Sequence, residues 1–140
     1  MTRLAVLLTI TAVLSLAEDD GFWPKLHQTI ERNLGRPYVW GTAGLKSFDC
    51  SGFVWRMLFD DGVLLKRTTA RKLYMSLPPV KPGAEWTFGN IVFFDSMKHC
   101  GFVNSKADFY HAQTSHGTRL SEFQPYWRGK VCGVRAVRRD

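Results

Sequence analysis

The chain lacks the marks of several function classes. No segment repeats at the period of a solenoid, which excludes an array of stacked units. No helix-turn-helix or zinc-finger pattern is present, which speaks against nucleic-acid recognition. No C-x-x-C or H-E-x-x-H motif gathers metal ligands, so a zinc site drawn from Cys50, His99, Cys100, His111 and Cys132 is a weak reading. His99 and Cys100 are adjacent and would point to opposite sides of a strand. Acidic residues are few, 12 against 19 lysines and arginines, which leaves a net charge of +7. A basic surface favours polyanions such as an anionic cell envelope, or serves solubility alone. Cysteines are also few, and the odd count of three implies one disulfide and one free thiol in an oxidising compartment. Cys100 and Cys132 both sit in strand-like segments and are expected to pair, leaving Cys50 free.

The only long apolar run is Leu4 to Leu16, too short to span a bilayer comfortably. Arg3 precedes it, and Ser15-Leu16-Ala17 has the small-x-small pattern of a signal-peptidase site. Residues 1–17 therefore read as a cleaved signal peptide. No cysteine follows closely enough for a lipid anchor. Residues 18–140 read as a single domain, long enough for one hydrophobic core. The expected address is secreted or periplasmic, with no stable membrane insertion after cleavage, and the expected state is a monomer.

Helical spacing follows. Phe22, Leu26, Ile30 and Leu34 recur every four residues, Pro24 suits a first turn, and Gly35 with Pro37 ends the helix. The glycine-rich stretch GRPYVWGTAGLKSFD reads as a loop with a short extended piece. A second helix runs from Cys50 to DDG at Asp60–Gly62, and a short third spans Thr69 to Ser76 with Thr68 as its cap. Beyond four prolines and glycines at 78–83, NIVFFD, HCGFVN, DFYHAQ and KVCGVRAVR read as strands. TSHGTRLSEFQPYWRG reads as an ordered loop with a helical turn at Ser121–Phe123. Helices first and an antiparallel sheet second make the class α+β.

Cys50, at the first turn of its helix, faces free N–H groups and the positive end of the dipole, which favour a thiolate. A thiolate nucleophile needs a base, and histidine suits neutral pH. His27 lies beside an apolar helix face and His116 in a polar loop. His99 opens a strand and His111 sits in the next; if these strands pair, both imidazoles can face the helix carrying Cys50. His99 would be the base and His111 would fix its tautomer. The Cys50 N–H and the Tyr38 hydroxyl can hold an oxyanion. The competing reading of Cys50 is a buried, inert thiol.

RPYVWGTAG, FDCSGFV, LLKRTTA, GNIVFF, HCGFV, YHAQTSHG and YWRGKVCGVRAV, in this order from Gly35 to Val137, resemble the segments of the NlpC/P60 cysteine peptidases. The resemblance implies a papain-like fold, with N-terminal helices on a central antiparallel sheet. It implies Cys50 as nucleophile, His99 as base, His111 as the orienting residue and Tyr38 as an oxyanion contact. Asp49 and Ser51 match positions that receive the free amino end of a peptide stem, while Asp49 alone also reads as a helix cap. The implied substrate is peptidoglycan or a muropeptide, cut between γ-linked D-glutamate and a diamino acid such as meso-diaminopimelate, with no metal or organic cofactor. An amidase or acyltransferase on the same fold and a silent wall-binding module are the alternatives. WGTAG in place of a double glycine, and Asn90 where aspartate is usual, bear on the shape of the cleft.

Overall fold

The computed structural model describes residues 21–44 and 47–139. The expected signal peptide lies outside them. The elements run α1 (Phe22–Arg32), α2 (Cys50–Asp60), α3 (Ala70–Ser76), β1 (Ile91–Phe94), β2 (His99–Val103), β3 (Asp108–Gln113), β4 (Gly117–Glu122) and β5 (Val131–Arg135). The α+β class and the packing of helices on an antiparallel sheet are as expected.

The four-residue spacing in α1 turns Phe22, Leu26 and Ile30 inward, and all three are buried. The helix stops where Gly35 adopts a left-handed φ of 80° and gives its N–H to the Thr118 carbonyl. In α2 the sequence is apolar nearly all round, and Phe53, Val54, Met57 and Leu58 are fully buried. The cap of α3 is Thr69, not Thr68. Thr69 has the extended backbone of an N-cap and accepts from the Lys72 N–H at 3.3 Å, while the Thr68 carbonyl is taken by Arg67 Nη1.

The strands form one antiparallel sheet in the order β4-β3-β2-β1-β5. Its two faces bury different sets of residues, as strand alternation requires. Ile91, Phe93, Cys100, Phe102, Tyr110 and Ala112 join the residues of the helices. Val92, Phe94, Val103, Phe109 and Phe123 form a second cluster on the other face, closed by Trp86 and Trp127. The chain after β4 covers that face through turns at Phe123–Trp127 and Arg128–Lys130.

Two further expectations fail. The segment read as a loop with a helical turn contains β4, whose residues pair with β3 throughout, from Asp108–Glu122 to Gln113–Gly117. Only Gly117 and Thr118 of β4 are buried, so an edge strand of polar composition carries no alternating signal. Cys100 and Cys132 do not pair; all three cysteines are free. They lie on opposite sides of β1, where Phe93 pairs with Cys100 and with Gly133. Two strand spacings put them roughly 9–10 Å apart, beyond the reach of a disulfide. Cys100 is buried and Cys132 exposed.

Cys132→Ser should therefore shift the urea unfolding free energy by less than about 0.5 kcal/mol, the usual range for an exposed site. A loss of about 2 kcal/mol or more, the cost of a native disulfide, would reinstate the bridge.

Candidate active site

The first turn of α2 is built around a carboxylate. Asp49 is the N-cap, and its Oδ1 accepts from the Gly52 N–H at 2.6 Å. Oδ2 accepts from the Gly41 N–H at 2.9 Å, and Arg67 Nη2 reaches both oxygens, at 2.9 and 3.1 Å. Ser51 Oγ donates to Asp49 Oδ1 at 3.4 Å and accepts from Arg67 Nη1 at 3.1 Å. Asp49 is 7% exposed, and a buried charge persists only with such partners. Gly52 is required here: a Cβ would sit 2.1 Å from the Thr42 carbonyl oxygen and 2.7 Å from Asp49 Oδ1. The helix start is thus locked against the loop that carries Tyr38.

Cys50 is the first residue of α2 and 7% exposed. Its Sγ lies 3.8 Å from the Lys98 carbonyl, at the entry to β2. That carbonyl is presented by a turn in which Asp95, Ser96 and Met97 have φ of 52°, 54° and 68°. Three consecutive side chains in the left-handed region store backbone strain. The turn is held by Lys98 N–H bonds to the Phe94 and Asp95 carbonyls and by Lys130 on Asp95. The Cys50 thiol pKa falls to about 5. The largest cause is the hydrogen bond from the Cys100 thiol, followed by the hydrogen bond and charge of His99; burial and Asp49 oppose the shift. The Cys100 pKa moves up for the reciprocal reason, its bond to Cys50, with burial adding to it. Cys50 is the anion of the pair and Cys100 the donor.

His99 contacts the thiol and turns Nε2 to His111 Nδ1 at 2.8 Å, leaving its own Nδ1 for the sulfur. His111 Nε2 meets Ser121 Oγ at 2.8 Å. His111 is fully buried, and desolvation foremost, with the charge of His99 next, drives its pKa down to about 2. It is neutral at all working pH. A neutral His111 bonded to Ser121 can present Nδ1 as an acceptor and so take the Nε2–H of His99. Both rings lie on the sheet face away from the helices, packed against Trp127, contrary to the expectation that they face α2. His99 reaches the sulfur because it is the first residue of β2, next to the Lys98 carbonyl that lies 3.8 Å from Cys50 Sγ. Gly101 makes the pairing of the rings feasible, since a Cβ there would stand 2.4 Å from the Tyr110 carbonyl oxygen and 3.0 Å from His111 Cβ.

An open cavity of about 520 Å³ exposes the pair, lined by Tyr38, Cys50, Asp95, Lys98, His99 and Trp127 among others. The Tyr38 pKa is raised, by burial first and then by the charges of Cys50 and Asp49, so its hydroxyl keeps its proton. Of the residues expected from sequence, Tyr38, Cys50 and His99 meet at this cavity, and His111 stands behind His99. Asp49 and Ser51 do not line it; they lie under the helix start with Arg67. His27 bonds Tyr110 and His116 bonds Ser115, both apart from the thiol. Ser121 and Trp127 were not anticipated. Ser121 lies in the unrecognised strand β4, and Trp127 stacks on His99 at 5.3 Å between ring centres only through the tertiary fold. Among the described residues, no group of three or more His, Cys, Asp or Glu side chains could hold a metal ion.

Residues 35–136 match the model of the NlpC/P60 family. The chain is 30% identical over 116 residues to "Probable peptidoglycan endopeptidase LytE" of Bacillus subtilis, a match covering 79% of this chain and 33% of that protein. It is 31% identical over 108 residues to "Murein DD-endopeptidase MepS/Murein LD-carboxypeptidase" of Escherichia coli, covering 74% of this chain and 56% of that one. Among solved structures, an NLP/P60-family protein similar to lipoprotein from Staphylococcus aureus superposes with a TM-score of 0.74 at 26% identity, over 87% of this chain and 43% of the other. The chain thus spans about a third of LytE and little over half of MepS.

The lowered thiol pKa has a direct readout. With Cys132 replaced by serine, iodoacetamide should label Cys50 rapidly at pH 7, and the rate should fall as pH drops through about 5, where the thiolate is protonated. A rate that keeps rising to a midpoint near the ordinary thiol value of about 8.5 would refute the stabilised anion.

Proposed function

This chain belongs to the NlpC/P60 family, and we propose that it is a cysteine endopeptidase that hydrolyses the stem peptides of peptidoglycan. The observation that carries the reading is the contact of a thiolate-prone Cys50 with His99, itself fixed by His111, on the wall of an open cavity. The relatives named as peptidoglycan endopeptidases support the substrate class. The finer proposal is cleavage between γ-linked D-glutamate and a diamino acid such as meso-diaminopimelate. An exported protein, secreted or periplasmic, would meet this substrate.

In the proposed reaction, the Cys50 thiolate attacks the scissile carbonyl carbon. The developing oxyanion takes the N–H of Cys50 and the protonated Tyr38 hydroxyl, donors that need no reorganisation. His99 Nδ1 gives its proton to the leaving amine, and a thioester remains on Cys50. Water then enters, His99 takes a proton from it, and the acid product leaves. His111 holds the Nε2–H of His99 throughout, so the ring keeps Nδ1 on the sulfur.

Asp49 and Ser51, buried behind the cavity wall, are proposed to receive the free amino end of the stem. Asp49 would do so while still capping α2, since each of its oxygens already has donors. Arg67 already balances its charge, so the ammonium would have to take the place of that partner to form a direct charge-assisted bond.

Digestion of defined muropeptides, with product masses read bond by bond, tests the reading. The wild type should release a product ending in γ-linked D-glutamate. Cys50→Ala should abolish cleavage while the circular dichroism spectrum is unchanged, and His99→Ala should lower kcat by about 10²–10⁴, the worth of general acid–base help. Cleavage at the lactyl amide would make the protein an amidase, and binding without cleavage would make it a wall-binding module. Asp49→Asn should impair stems with free amino ends more than blocked ones; an equal loss on both would leave Asp49 a purely structural residue.

A further inference from the structure

The mechanism uses one cysteine, yet a second meets it. Cys100 is fully buried and lies on the helix-facing side of β2, paired with Phe93, in the same packed cluster as Cys50. Cys50 Sγ lies 3.8 Å from the carbonyl of Lys98, two residues before Cys100 in the chain. The two thiols share that cluster, and each shifts the titration of the other, Cys50 down and Cys100 up. Only Cys50 lines the open cavity; Cys100 does not. One sulfur is thus accessible and the other stands sheltered behind it. This is the arrangement of an attacking and a resolving thiol.

We propose that Cys50 and Cys100 form a reversible disulfide when the protein meets a hydroperoxide, which switches the catalytic thiol off and protects it from further oxidation. The Cys50 thiolate attacks the outer peroxide oxygen. An S–O bond forms, the O–O bond breaks, and the alkoxide or hydroxide released takes a proton to leave as alcohol or water. Cys50 is then a sulfenic acid. Cys100 sulfur attacks the Cys50 sulfur, an S–S bond forms, and the S–O bond breaks. The hydroxide released combines with the Cys100 proton as water. The dithiol loses two electrons and the hydroperoxide gains them. Without Cys100, the sulfenic acid has no sheltered partner, and a second hydroperoxide oxidises it to sulfinic acid, which thiol reductants do not reverse.

Cys100 is held ready in two ways. Its proton stays on the sulfur while it donates to Cys50, and burial keeps oxidant in solution away from it. Once Cys50 becomes a neutral sulfenic acid, the anion that held that proton in place is gone, and Cys100 stands in the same buried cluster as the sulfur it must attack. Exposed Cys132 lies on the far side of β1 and cannot serve in its place.

The switch rests on the proposed role of Cys50 only for its effect on activity; the bond itself is read by mass. The Cys132→Ser protein is treated with excess hydrogen peroxide, quenched with iodoacetamide, unfolded and digested. The expected result is loss of two hydrogens and a linked pair of peptides containing Cys50 and Cys100, both separated by dithiothreitol. Cys100 alkylated in full beside a sulfinic Cys50 would overturn the proposal, whether or not the protein cleaves muropeptides. With muropeptide as substrate, oxidised protein should lose roughly tenfold or more of its activity and regain it with dithiothreitol, whereas oxidised Cys100→Val should stay inactive relative to its own untreated level. Equal recovery in both proteins would also overturn it. Should Cys100→Val fail to fold, the peptide map of the parent protein still decides.

Discussion

The carboxylate of Asp49 is the point on which the site is assembled. It closes the first turn of α2, takes the Gly41 N–H from the loop beyond Tyr38, and meets both contacts of Arg67 Nη2. A buried ion pair by itself contributes little, because desolvation offsets most of the attraction. Here two backbone donors and a hydroxyl complete the coordination of the carboxylate, so what it provides is chiefly position. Gly52 allows the closeness this needs. Its missing Cβ leaves room for the Thr42 carbonyl, and helix start and loop become one rigid unit. The thiol and the phenol are carried by that unit together.

The imidazoles come from the other side of the architecture. The sheet separates a helix-facing core from a second aromatic core, and His99 and His111 belong to the second. His99 meets the thiol at the start of β2, where the strained turn at 95–97 brings the Lys98 carbonyl to the sulfur, and His111 stands behind it. The proposed catalytic groups therefore meet at the start of a strand and not on one face of the sheet. Trp127 stacks on His99 and stands edge-on to His111, so the aromatic cover of the second face also fixes both rings.

Local signals carried much of this into the sequence. The spacing of Phe22, Leu26 and Ile30, the apolar run after Cys50 and the branched, aromatic strands are each contained in a few consecutive residues, and the elements formed where those signals lie. Tyr38, Cys50 and His99 could be grouped because motif order carries a resemblance that periodicity does not. What stayed hidden depends on neighbours across the fold. Strand β4 is polar and paired on one side only, and Ser121 went unnoticed with it. The expected bridge between Cys100 and Cys132 rested on both lying in strands, which says nothing of the strand between them. Whether a ring on β2 faces the helices depends on the parity of the register, and a thiol at the end of the sheet can be reached from the face that parity seemed to exclude.

The neutrality of His111 has a chemical consequence for the proposed reaction. An aspartate in that position would stabilise the His99 imidazolium with a full charge and make its proton harder to give away. A neutral imidazole backed by Ser121 orients the ring by a dipole alone. The thiolate then depends on a further group for its stabilisation. Cys100 supplies that as the strongest of the causes lowering the Cys50 pKa. A lower thiol pKa weakens the attack, since nucleophilicity falls with basicity, but it makes the sulfur a better leaving group when the thioester is hydrolysed. An acidic nucleophile therefore favours the second half of the reaction, and the same stabilised anion is what exposes Cys50 to oxidants and makes a sheltered neighbouring thiol useful.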